Sequence, residues 1–115
     1  MVKNSQYMKL LISLFIISVA ILNADIENGK DVYTQNCSIC HRTDMRGGMG
    51  EDFNIVSYNR KKTDIVKYIT SPVDMFREFG YSANAMPKIP LNEEQVKDVS
   101  EYIDSLQPFK SWMKK

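Results

Sequence analysis

From Ile26 onward, apolar positions along this chain recur at helical spacing, and no stretch alternates with the period of two that a sheet demands. Ile26, Gly29 and Tyr33 share one face and predict a helix over 26–36 that runs into Cys37. The glycine costs about 1 kcal/mol there relative to alanine, which close approach by another helix would offset. Between Thr43 and Asn59 the helical pattern is lost, and Gly47, Gly48 and Gly50 predict an irregular loop. A helix over 63–70 follows, with Thr63 as its cap and Ile65, Val66 and Ile69 facing inward. Pro72 stops it, and Ser71-Pro72-Val73-Asp74 predicts a fresh short helix ending at Gly80. The last helix is the plainest: Asn92 with Gln95 forms a capping box, and Leu91 with Val96 forms a staple. Val96, Val99, Ile103 and Leu106 give its apolar stripe, Tyr102 lies beside it, and Pro108 marks the exit. The pattern therefore predicts an all-α domain.

Residues 1–24 follow a different pattern. Lys3 and Lys9 precede an apolar run from Leu10 to Leu22, with no acid before it and small residues just after, as in a secretory signal. A spanning helix needs about 20 apolar residues, so the run is short for a permanent anchor. Cleavage after Ala20 or after Ala24 fits, and the second leaves a polar start at Asp25. The chain thus divides into a signal peptide at 1–24 and one domain at 25–115, and an uncleaved leader would tether that domain to a membrane.

The chain has 115 residues with a formal net charge of +1. Removing 1–24 takes two lysines and no acid, leaving 91 residues with 13 basic and 14 acidic side chains. That balance, without a concentrated basic stripe, argues against a nucleic-acid partner. A domain of this size is marginal unaided and needs a staple, a metal or a cofactor. The two cysteines, Cys37 and Cys40, would close too small a loop to help as a disulfide.

Cys37-Ser38-Ile39-Cys40-His41 supplies the chemistry. On a helical turn, positions i, i+3 and i+4 share a face, so both sulfurs and the imidazole address one flat ligand. C-x-x-C-H is the attachment pattern of c-type haem, with two thioethers to the ring and the histidine on the iron. Three other readings stand beside it. A redox dithiol belongs on a βαβ scaffold, zinc wants four ligands where this chain has two cysteines and one histidine, and the spacing can arise by coincidence.

With these residues the chain resembles the class I c-type cytochromes of the bacterial periplasm, over nearly all of 25–115. Gly29-Lys30-Asp31-Val32-Tyr33 leading to Cys37–His41 is similar to the family's N-terminal helix. Met86-Pro87-Lys88-Ile89-Pro90-Leu91, followed by Asn92-Glu93-Glu94-Gln95, is similar to its methionine loop and C-terminal helix. The resemblance implies the small cytochrome c fold: terminal helices crossing, and short helices and loops wrapped round one haem. It also implies that Gly29 and Tyr33 cross the last helix near Tyr102. Two departures stand out. Arg42 follows the histidine where the family commonly has glycine, and Gly48-Met49-Gly50-Glu51 stands where it commonly has a proline. The carbonyl of that proline often orients the imidazole; Glu51 also offers a carbonyl.

No second histidine exists, so methionine is the natural sixth ligand of a high-potential carrier. Met45 is too near His41, Met49 lies in the glycine loop, Met75 in a helix and Met113 in the tail; Met86 sits before Pro87 on a polar approach. The expectation is a periplasmic electron carrier, not an enzyme, with one covalent haem c on Cys37 and Cys40 and iron between His41 and Met86. Its partners would be periplasmic or membrane-bound oxidoreductases. The alternatives are an accessory subunit of a larger reductase or oxidase, or a haem protein with a labile sixth site. Arg60-Lys61-Lys62 reads as a solvated turn before a docking patch. Phe53, Tyr58, Phe76 and Phe79 read as packing for the haem, and Trp112 as a tail residue covering apolar surface or exposed.

Overall fold

The structure, a computed structural model, describes residues 2–114, with side chains described at 4–17 and 25–114. Among these residues five α-helices follow in order: α1 (Val2–Asn36), α2 (Phe53–Asn59), α3 (Lys62–Thr70), α4 (Pro72–Met75) and α5 (Glu93–Ser105), then a 3-10 turn at Ser111–Met113. No β-strand occurs among the described residues.

The first helix does not start at Ile26. It is continuous from Val2, because no glycine or proline precedes Gly29 to interrupt it. Its large apolar side chains between Tyr7 and Ile17 are all more than half exposed. Among the described residues no helix is long and apolar enough to cross a membrane.

The C-terminal part of α1 crosses α5 at Gly29. A Cβ there would collide with the carbonyl oxygen of Asp98 and stand 2.8 Å from the Cβ of Tyr102. Four residues on, the Tyr33 ring lies 5.4 Å from that of Tyr102 and 5.5 Å from that of Phe53. The expected crossing is therefore present. Around it pack Val32, Tyr33, Phe53, Ile65, Ile69, Val96, Val99 and Ile103.

Local sequence explains most boundaries. At α5 both halves of the capping box form: Gln95 N donates to Asn92 Oδ1 at 2.8 Å and Asn92 N donates to Gln95 Oε1 at 3.0 Å. Gly80 takes φ +85°, the left-handed conformation expected where the α4 region ends. Two boundaries differ from the sequence reading. The cap of α3 is Lys61 rather than Thr63. Within the predicted loop of 43–59 lies α2, capped by Asp52, whose Oδ1 accepts from Asn54 N at 2.8 Å while Oδ2 accepts from Met45 N at 2.8 Å. One buried carboxylate thus starts a helix and ties down the loop before it.

The tail is pinned by Lys110, a buried ammonium on α2 and α5. Its Nζ donates to Ser57 O at 2.9 Å, Ser57 Oγ at 3.0 Å and Asp104 O at 2.8 Å, and pairs with Asp104 Oδ1 at 3.1 Å.

Candidate functional site

The cysteine motif is a turn continuing α1. Cys37 O accepts from Cys40 N at 3.2 Å and from His41 N at 2.9 Å, so the two thiols and the imidazole leave one tight turn. The next loop folds back on it: Gly50 N donates to Cys40 O at 2.8 Å, Phe53 N to Arg42 O at 2.9 Å, and Asn54 Nδ2 to Thr43 O at 2.7 Å.

This packing fixes His41. Its Nδ1 lies 2.8 Å from the main-chain oxygen of Glu51. A carbonyl can only accept, so Nδ1 carries a proton, which leaves Nε2 as the nitrogen through which the imidazole would bind a metal. Glu51 thus replaces the family's proline without loss of the bond. The ring stacks on Phe53 at 4.5 Å and 18°, and Tyr33 Oη donates to His41 O at 2.7 Å. Gly50 closes the other approach: a Cβ there would stand 2.6 Å from Nδ1 and 2.9 Å from Nε2.

Cys37, Cys40, His41 and Met86 all line one cavity of about 360 Å³, walled mainly by apolar side chains that include Phe53, Ile65, Ile69 and Ile103. A pocket of this size suits a cofactor. Of the methionines after residue 24, Met49 and Met86 line it. Met49 directly precedes Gly50, which packs on the His41 ring, and is 81% exposed. Met86 reaches the cavity from a different segment, between α4 and α5.

The Cys37 thiol is also suited to one kind of chemistry. Burial, and then the neighbouring Cys40, push the Cys37 thiol up to about 11. Redox and metal-binding cysteines need a stabilised thiolate; here the neutral thiol is favoured, and a thioether keeps sulfur neutral. Among the described residues no cluster of three or more His, Cys, Asp or Glu side chains could hold a metal ion. The donor set and the apolar slot fit a haem.

Three wall residues escaped the sequence reading. Arg60 is the one cation among the lining residues, not a solvated turn; its Nη2 donates to Phe79 O at 2.6 Å and its guanidinium lies 4.9 Å from the Phe79 ring. Tyr68 and Tyr81 also line the cavity. Of the four aromatic residues expected there, Phe53 and Phe79 are present. Tyr58 and Phe76 are absent from the wall: Tyr58 faces Lys114 at 5.6 Å and Phe76 faces Arg77 at 5.5 Å. Trp112 is 45% exposed in the tail.

The family model for cytochrome c matches residues 26–107. Cytochrome c6 of Thermostichus vulcanus is 34% identical over 107 residues, covering 88% of this chain and 88% of that protein. Cytochrome c6 of Nostoc sp. is 32% identical over 110 residues, covering 84% of this chain and 92% of its own length. No solved structure matches the chain significantly. The chain belongs to the cytochrome c family. It is accordingly a haem protein with one covalent haem c, an electron carrier rather than an enzyme, and exchanges electrons with redox partner proteins.

Proposed function

We propose that the chain is an exported single-haem electron shuttle in which Cys37 and Cys40 hold the haem and His41 and Met86 hold its iron. The observation that carries this reading is the meeting of those four side chains on one apolar cavity, with His41 Nδ1 committed to the Glu51 carbonyl. Cys37 and Cys40, both free thiols on the cavity wall, would hold the haem as thioethers, a linkage that needs no oxidant because it keeps each sulfur at its thiol oxidation level. Bound there, the haem supplies a one-electron iron couple.

The protein's own residues set the rest. His41 and Met86 both line the cavity, and if both held the iron neither position would be left for a substrate, which favours outer-sphere transfer. Thioether ligation raises the reduction potential, and the apolar wall adds to this because low dielectric disfavours the more charged ferric state. Arg60, a cation on the cavity wall, would offset negative charge on a group bound there. Docking to donors and acceptors is brief, through an interface below roughly 1,200 Å².

Residues 1–24 act as a signal peptide that delivers the domain to the bacterial periplasm, where oxidoreductases of that space or of its membrane are the partners. Support comes from Lys3 and Lys9 ahead of the apolar run and from the exposed side chains along α1 before Ile17; an exposed apolar helix calls for a membrane or a receptor. N-terminal sequencing of secreted material should begin at Asp25.

Absorption spectra of the matured protein test the ligand assignment. Wild type should be low-spin with the ferric charge-transfer band of methionine ligation, and Met86→Ala should lose that band, bind carbon monoxide readily and have a lower potential. An unchanged Met86→Ala spectrum would assign the ligand elsewhere.

A further inference from the structure

Glu51 is used twice. Its main-chain oxygen orients His41, as described, while its carboxylate Oε2 accepts a hydrogen bond of 2.7 Å from Tyr81 Oη, across a sequence separation of 30. Tyr81 is held on its other sides as well: Tyr68 meets it edge-on at 5.5 Å, and the Arg60 guanidinium lies 5.9 Å from its ring. Its amide donates to Phe76 O at 2.8 Å. This makes Tyr81 a firm point on the cavity wall.

Beyond it the chain is loosely held. Positions 82–88, which include Met86, make no hydrogen bond with the described residues. The next tie is Leu91 N to Ile89 O at 2.8 Å, followed by the cap of α5. Met86 therefore hangs in a span fixed at its two ends, and the N-terminal end is Tyr81.

We infer that the Tyr81–Glu51 bond is a positioning latch: it ties the segment carrying Met86 to the loop that orients His41, and holds the sixth ligand against competing small bases. The inference rests on Met86 as the ligand. Neither residue touches the iron; both act through the segments they join. The change Tyr81→Phe keeps the ring packing, and Glu51→Ala keeps the main-chain carbonyl on His41, so the latch is the bond that both variants remove.

The test is imidazole titration of the ferric, matured protein. Tyr81→Phe and Glu51→Ala should each bind imidazole about tenfold more tightly, the scale of one hydrogen bond to a charged acceptor. The double variant should bind no more tightly than either single one. Glu51→Gln keeps a neutral acceptor and should fall between wild type and Glu51→Ala. On a Met86→Ala background, Tyr81→Phe should change nothing. If wild type shows the methionine band yet both single variants bind imidazole as wild type does, whatever happens to their denaturation midpoints, the latch is overturned. If wild type lacks that band, the Met86 assignment fails and the latch with it.

Discussion

Gly50 lies so close to His41 that a Cβ on the glycine would stand 2.6 Å from the imidazole Nδ1. The backbone there is tied to Cys40 O and the ring to Glu51 O, so neither can easily retreat. Gly50→Ala should turn the imidazole out of its seat. Overpacking of this kind costs about 1–3 kcal/mol, and the expected signs are a lower denaturation midpoint and a weakened low-spin spectrum of the matured protein. Gly47 provides the contrast: nothing lies near its Cβ direction, so alanine there should cost only the backbone strain of φ +84°, about 1–2 kcal/mol, and leave the spectrum alone.

At Gly29 two effects oppose each other. Alanine is the better helix former by about 1 kcal/mol, yet its Cβ would strike the Asp98 carbonyl, a backbone atom that cannot swing aside. The clash should win. Gly29→Ala is expected to destabilise the protein by about 1–3 kcal/mol, read as a lower urea midpoint, and the crossing of α1 with α5 should loosen first.

Lys110→Met should release the tail. The ammonium makes four contacts with Ser57 and Asp104 that an isosteric apolar chain cannot replace. Ser57 O loses the ammonium donor in a buried place, at a cost of about 1–3 kcal/mol, while Ser57 Oγ keeps the bond from Gln107 N. Urea denaturation measures the loss, while the haem spectrum should stay unchanged because Lys110 does not line the cavity.

Burial, with the Glu51 carboxylate beside it, pushes Tyr81 up to about 12. An unfolded tyrosine titrates near ~10. Between these values the unfolded chain has released a proton that the folded protein keeps, so stability is full below about pH 10 and falls as pH rises towards about 12. Tyr81→Phe removes this group, so its stability should decline less steeply than wild type over that window. Denaturation series from pH 9 upward provide the comparison.

What could be read from sequence was what local chemistry decides. The α5 cap needs only Asn92 and Gln95, and the haem motif needs only a turn, so both were legible. Gly29 was legible because a costly residue in a helix points to a close neighbour. The helix α2 was hidden: Phe53–Asn59 spans two turns, too few for a period, and its cap follows a glycine-rich loop. Arg60 sat in a basic run that resembles any solvated turn; its place on the wall depends on Phe79 arriving from a different segment. Tyr58 and Phe76 show the same limit in reverse, since an aromatic residue near a cofactor motif carries no record of which way it faces. Glu51 was visible as a departure from the family's proline, but its bond to Tyr81 exists only once the cavity closes.

The most direct test of the account is peptide mass mapping of the protein produced with haem-maturation machinery. The tryptic peptide spanning 31–42 should carry the mass of one haem, and neither Cys37 nor Cys40 should react with an alkylating reagent after denaturation. An unmodified peptide with two alkylated cysteines would contradict it.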